Sequence, residues 1–123
     1  LNYIEESVRG DIILQPHYQR KDVWTRSKKS KLIESVLCNI PIPSIYLAET
    51  KDGDWEVIDG QQRLRAFFDF IEGKYKLSQM PILSNLKNKY FNDLGTYHRK
   101  LEDYQLHIFI IKKESHPDIH LPL

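Results

Sequence analysis

The stretch Trp55-Glu56-Val57-Ile58-Asp59-Gly60-Gln61-Gln62-Arg63-Leu64 decides how this chain folds. Its first half is rich in β-branched and aromatic residues and favours an extended strand. Its second half opens a helix, because Leu64, Phe67, Phe68 and Ile71 fall at i, i+3, i+4 and i+7 and so share one apolar face. Gly73 stands where a helix of that length would be capped. Between the halves, Asp59 can cap the helix and Gly60 lets backbone N–H groups approach a ligand closely. The first turn of a helix carries unpaired N–H donors and partial positive charge, which suits a phosphate. Arg63 and Arg65 add guanidinium forks of the kind that bind phosphate bidentately. The bland reading is that Asp59-Gly60 is only a turn and that the Arg and Gln side chains form a solvated helix face. Spacing alone leaves the two readings balanced.

Upstream, Ser44 to Glu49 reads as a strand that Asp52-Gly53 turns into a hairpin with Trp55 to Ile58. Before it, the spacing predicts a helix from Ser27 to Asn39, with Leu32, Ile33, Val36, Leu37 and Ile40 on its apolar face and Pro41 and Pro43 ending it. Glu34 falls on the polar side of that helix and is expected in solvent, as is Glu56 on its strand. Asp11 to Leu14 reads as a short strand stopped by Pro16, and Asn2 to Val8 as a short helix with Glu5 completing a capping box. Downstream, short helices are expected around Leu83–Leu86 and His98–Asp103. Tyr104, Leu106, Ile108 and Ile110 alternate, which predicts a strand from Tyr104 to Lys112. Strands joined by a hairpin, with helices packed on them, make a small α+β domain.

The chain has 123 residues, enough for one domain of roughly 100–150 residues or a piece of one. Residues 1–123 are therefore read as a single domain. The missing initiator Met and the abrupt end at Leu121-Pro122-Leu123 suggest an excised, incomplete one. A formal net charge of +1 argues against the overall basic footprint of a non-specific DNA binder, so any anion recognition must be local. One local feature stands out. Arg20, Lys21, Arg26, Lys28, Lys29 and Lys31 cluster before and within the first turn of the Ser27 helix, where cations oppose the helix dipole. Either an anion binds nearby or that end is simply well solvated. Cys38 is the only cysteine, which excludes an intrachain disulfide and fits a reducing compartment; with Leu37 and Ile40 beside it, it reads as a core residue. No apolar run approaches the roughly 20 residues of a membrane span, so a soluble, cytoplasmic protein is expected. His116 and His120 are spaced for a metal on a helix, but Pro117 argues against the helix.

The residues Tyr18-Gln19-Arg20 with Trp24, Leu32-Ile33-Glu34-Ser35-Val36, Ile40-Pro41-Ile42-Pro43 and Val57-Ile58-Asp59-Gly60-Gln61-Gln62-Arg63-Leu64 together resemble the GmrSD family's N-terminal domain. The resemblance runs from about Ile12 to Ile111. It implies a part in bacterial modification-dependent restriction and anti-phage defence, and a ParB/sulfiredoxin-like fold with a small mixed sheet and packed helices. It further implies a nucleoside triphosphate site. In this correspondence Gly60, Gln61, Gln62 and Arg63 occupy a phosphate-binding box, and Gln19 and Arg20 stand on a facing loop. If hydrolysis occurs, Asp59, Gln61, Gln62 and Arg63 are its candidate catalytic residues, with Asp59 orienting water or holding Mg²⁺. DNA would be contacted through other domains or subunits, an oligomer is compatible, and no HNH nuclease segment is present in the chain. After Ile111 the sequence also departs from the family's Phe-x-Arg-x-Asn segment. Two other readings stay open: a non-catalytic nucleotide sensor, and a module that contacts nucleic-acid backbone through the Arg20–Lys31 cluster.

Overall fold

A computed structural model describes residues 12–13 and 23–112. The expected helix over residues 2–8, the candidates Gln19 and Arg20, and the pair His116 and His120 lie outside the described residues. Elements follow the order β1 (Ile12–Ile13), α1 (Arg26–Leu37), β2 (Ile45–Glu49), β3 (Trp55–Asp59), α2 (Gln61–Ile71), α3 (Thr96–Glu102) and β4 (Ile108–Ile111). Single 3₁₀ turns at Ser84–Leu86 and Phe91–Asp93 bridge α2 to α3. The fold is α+β, with a mixed four-stranded sheet ordered β1-β3-β2-β4. The hairpin β2–β3 is antiparallel, and β1 and β4 add in parallel at either edge.

The apolar spacing that predicts the two long helices also says what they bury. Ile33, Val36 and Leu37 of α1 and Leu64, Phe67 and Phe70 of α2 are almost wholly enclosed, together with Ile45 and Leu47 of β2. Full burial of side chains this size is worth about 1.5–3 kcal/mol each, which makes this cluster the main support of the fold. Because side chains alternate along a strand, Tyr46 points away from that core and is exposed. No helix among the described residues is long and apolar enough to cross a membrane.

Four expectations need correction. First, α1 is ended by Asn39 rather than by the prolines. Asn39 adopts a left-handed φ of 61°, and Asn39 and Ile40 donate to the carbonyls of Val36 and Ser35, so the chain turns away and leaves Ile40 exposed. Second, Cys38 lies at that helix end and is half-buried rather than enclosed in the core. Third, the last strand is shorter than the alternation of Tyr104 to Lys112 implies. Its neighbour β2 begins at Ile45, whose N–H donates to the His107 carbonyl, so residues before His107 have no strand alongside them. Fourth, Glu34 is buried, at 5% exposure. The backbone over Met80–Leu83 folds back across α1, and the N–H groups of Ile82 and Leu83 each donate to Glu34 Oε2 at 2.8 Å. Helical spacing puts Glu34 on the polar side, but it carries no sign of a loop that returns some fifty residues later.

The far end of α2 is closed by its own chemistry. Gly73 at φ 78° continues a turn in which Gly73 and Lys74 donate to the carbonyls of Phe70 and Asp69. Asp69 meets Lys29 of α1 at 3.2 Å, and the Tyr75 hydroxyl donates to the Ala66 carbonyl. Burial, and secondarily the neighbouring Asp69 charge, hold the Tyr75 phenol well above its ordinary pKa. It therefore remains a donor at any ordinary pH.

Candidate functional site

The site is built where β3 runs into α2. Gly60 is the N-cap, with φ 102° and ψ 15°. A side chain there would be strained, and a Cβ atom would stand 2.8 Å from Ile45 Cγ1. Glycine is thus required twice over, by backbone angle and by the close approach of β2. Contrary to expectation, Asp59 does not cap the helix, and α2 has no side-chain cap at all. The reason is geometric: Asp59 still belongs to the strand, and its carboxylate lies 3.6 Å from Arg63 on the outer side, 63% exposed. Leu64 N–H is the first to close the helix, onto the Gly60 carbonyl.

Both glutamines of the first turn are buried, at 5% exposure each. Gln62 Oε1 accepts the Trp24 N–H at 3.2 Å, while Gln62 Nε2 is enclosed with no hydrogen-bond partner among the described residues. Gln61 is held by a contact of its own, as is the half-buried Arg65. Arg63 is mostly covered. One guanidinium nitrogen donates to the Ser44 carbonyl at 2.9 Å and also faces Asp59. The buried Nε of Arg63 has no hydrogen-bond partner among the described residues.

The Trp24–Gln62 contact has a larger meaning. Trp24, just ahead of α1, meets the first turn of α2, while Lys29, in the first turn of α1, meets Asp69 in the last turn of α2. The start of α1 thus reaches the far end of α2, and the residue that touches Gln62 is Trp24, ahead of the helix. Each helix N-terminus carries roughly half a positive charge, which an acidic side chain in the first turn would offset. Neither first turn supplies an acidic side chain. α1 instead begins with Arg26, Lys28 and Lys29, and Lys28 Nζ sits 4.9 Å from the Trp24 ring centroid. Of the cationic cluster, Lys28 is thus tied to the Trp24 that touches Gln62, and Lys29 to Asp69 at the far end of α2. The Trp24–Gln62 contact depends on tertiary packing and leaves no sign in the local sequence.

Of the candidates, Asp59, Gly60, Gln61, Gln62 and Arg63 are brought to one corner. Gly60 and the two glutamines form its floor, and Asp59 and Arg63 form its outer rim. No group of three or more His, Cys, Asp or Glu side chains among the described residues gathers to hold a metal. In the comparisons with known proteins, the model of the GmrSD restriction endonuclease N-terminal domain matches residues 2–121, nearly the whole chain. No curated protein and no solved structure gives a match.

Proposed function

The chain belongs to the GmrSD restriction endonuclease N-terminal domain family, which makes it a component of a restriction and anti-phage defence system, and from that premise we propose that it binds a nucleoside triphosphate at the Gly60–Arg63 turn. The observation that carries this reading is a buried amide in the first turn of α2, Gln62 Nε2, that has no partner among the described residues. An enclosed donor left unmade costs about 1–3 kcal/mol, and a phosphate oxygen at this corner would satisfy it while offsetting the α2 dipole.

The triphosphate would lie with an outer phosphate against the α2 first turn and Gln62. Gln19 and Arg20, which the resemblance adds to the site, lie outside the described residues. Hydrolysis is the second half of the proposal. An in-line water attacks the terminal phosphorus, the bond to the bridging oxygen breaks, and nucleoside diphosphate and inorganic phosphate leave. In this reading Asp59 and Gln61 orient that water, and Gln62 and Arg63 stabilise charge on the transferred group. Mg²⁺ commonly binds through one or two carboxylates plus substrate phosphates rather than in a protein cage, and the accessible Asp59 suits that arrangement. When bound, it would neutralise charge between the outer phosphates.

One observation favours the sensor reading for the state described. One guanidinium nitrogen of Arg63 holds the Ser44 carbonyl just ahead of β2, which ties the start of α2 to that strand. A nucleotide that drew Arg63 away would loosen the β2–α2 junction and could signal without turnover.

Both readings are tested by titrating nucleoside triphosphates with and without Mg²⁺, following thermal stability and released phosphate. Gln62→Glu serves as the control, because it keeps an acceptor for Trp24 while replacing the donor with negative charge. Stabilisation of the wild type that is lost in Gln62→Glu is expected. No stabilisation of the wild type by any triphosphate would refute binding here, and stabilisation without phosphate release would leave the sensor.

A further inference from the structure

The same end of the sheet carries a feature that phosphate binding does not use. Tyr46 of β2 and Phe109 of β4 are register partners, with rings stacked at 5.3 Å between centroids and 16° from parallel. They are 39% and 55% exposed. Single exposed aromatics are ordinary, but a stacked pair on the face turned away from the core is an apolar platform. The neighbouring register pair on this face, Ala48 and Ile111, adds no charge to it. On its other side Tyr46 is the register partner of Asp59, the residue immediately before Gly60. Asp59, Tyr46 and Phe109 therefore stand in a row across β3, β2 and β4, beginning at the phosphate corner.

We propose that the Tyr46–Phe109 stack is the base-stacking ledge for the nucleotide whose phosphates lie at Gly60–Arg63. The inference rests on that phosphate reading and adds the position of the base. A purine or pyrimidine presents a flat π-face to an aromatic ring, and such stacking tolerates any base. The ledge adjoins the phosphate corner through the Tyr46–Asp59 register, so one ligand can reach both. With no described charged partner on the ring faces, the ledge selects for a planar base rather than for one base over another.

The test compares the four ribonucleoside triphosphates with inorganic tripolyphosphate, which has the phosphates and no base, by calorimetric titration of the full chain. The wild type should bind the nucleotides about tenfold more tightly than tripolyphosphate, a margin within the usual range for one stacked base. Tyr46→Ala should abolish that margin and leave tripolyphosphate affinity unchanged, whereas Tyr46→Phe should retain it because the ring is what matters. As an independent readout, Phe109→Trp should show emission quenched by nucleotides and not by tripolyphosphate. Equal affinities for nucleotide and tripolyphosphate, or a margin that survives in Tyr46→Ala, would overturn the ledge and leave the phosphate site standing. A wild type that binds neither ligand overturns both. Concentration-dependent self-association that is abolished by Tyr46→Ala, with no change in nucleotide affinity, would also overturn the ledge and assign the stack to a contact between copies.

Discussion

Glu34 on α1 and Gln62 on α2 are buried to the same extent, yet they are finished differently. Glu34 spends its charge inside the chain, where one carboxylate oxygen accepts two backbone N–H groups of the returning Ile82–Leu83 segment. Gln62 makes one bond with its oxygen and leaves its enclosed nitrogen with no partner among the described residues. The starts of the two helices repeat the contrast. α1 is capped by Thr25, whose side chain accepts from Lys28 N–H, while α2 begins at a left-handed glycine with no side-chain cap. Two helices of similar length, packed side by side, thus divide the work. One is satisfied internally and holds the fold, and the other leaves a buried donor with no partner among the described residues.

The sharpest way to break this contrast is to fill the glycine. Gly60→Ala places a methyl group against Ile45, a stiff β-branched side chain buried in the sheet. It also forces alanine into a conformation that L-residues avoid. Left-handed strain and overpacking together should cost about 3 kcal/mol, read as a lowered midpoint in urea unfolding. A loss below about 1 kcal/mol would mean that the strand-to-helix turn relaxes freely and is not held rigid for a ligand. The second effect falls on the other helix. Glu34→Ala strands two N–H groups over a half-covered segment and should cost about 2–3 kcal/mol, while Glu34→Gln, which keeps an acceptor, should cost less. Triphosphate affinity measured below the unfolding transition should not change in either Glu34 variant. A selective loss of affinity would place Glu34 in the site and dissolve the contrast.

Much of the frame was legible because it depends on local periodicity. The apolar spacing of α1 and α2, the Asp52-Gly53 turn and the glycine after Asp59 each place an element within a residue or two. The misplaced expectations share a different cause. Nothing near Glu34 in sequence announces the loop that buries it, and the alternation from Tyr104 to Lys112 cannot know that β2 starts only at Ile45. Asp59 looked like a cap because Asp usually is one, but the strand runs on through it and the glycine takes the cap position. For the site, residue types could be named from the Asp-Gly-Gln-Gln-Arg run. That Arg63 rests on Ser44, and that Trp24 meets Gln62, follow only from packing.

The smallest effect probes the capped start. Thr25→Ala removes the hydroxyl that accepts from Lys28 N–H, in an exposed first turn where water can replace it. The cost should be about 1 kcal/mol, within the usual range for a lost N-cap, and visible as a small fall in melting temperature. Because that cap faces its own helix rather than Gln62, triphosphate affinity should stay within about threefold of the wild type, less than a single charged hydrogen bond is worth. If affinity instead rises well beyond that, the newly freed α1 donors are reaching the ligand. The two N-termini would then act as one site, with Thr25 in competition with the phosphate. If affinity is unchanged, α2 alone supplies the backbone donors.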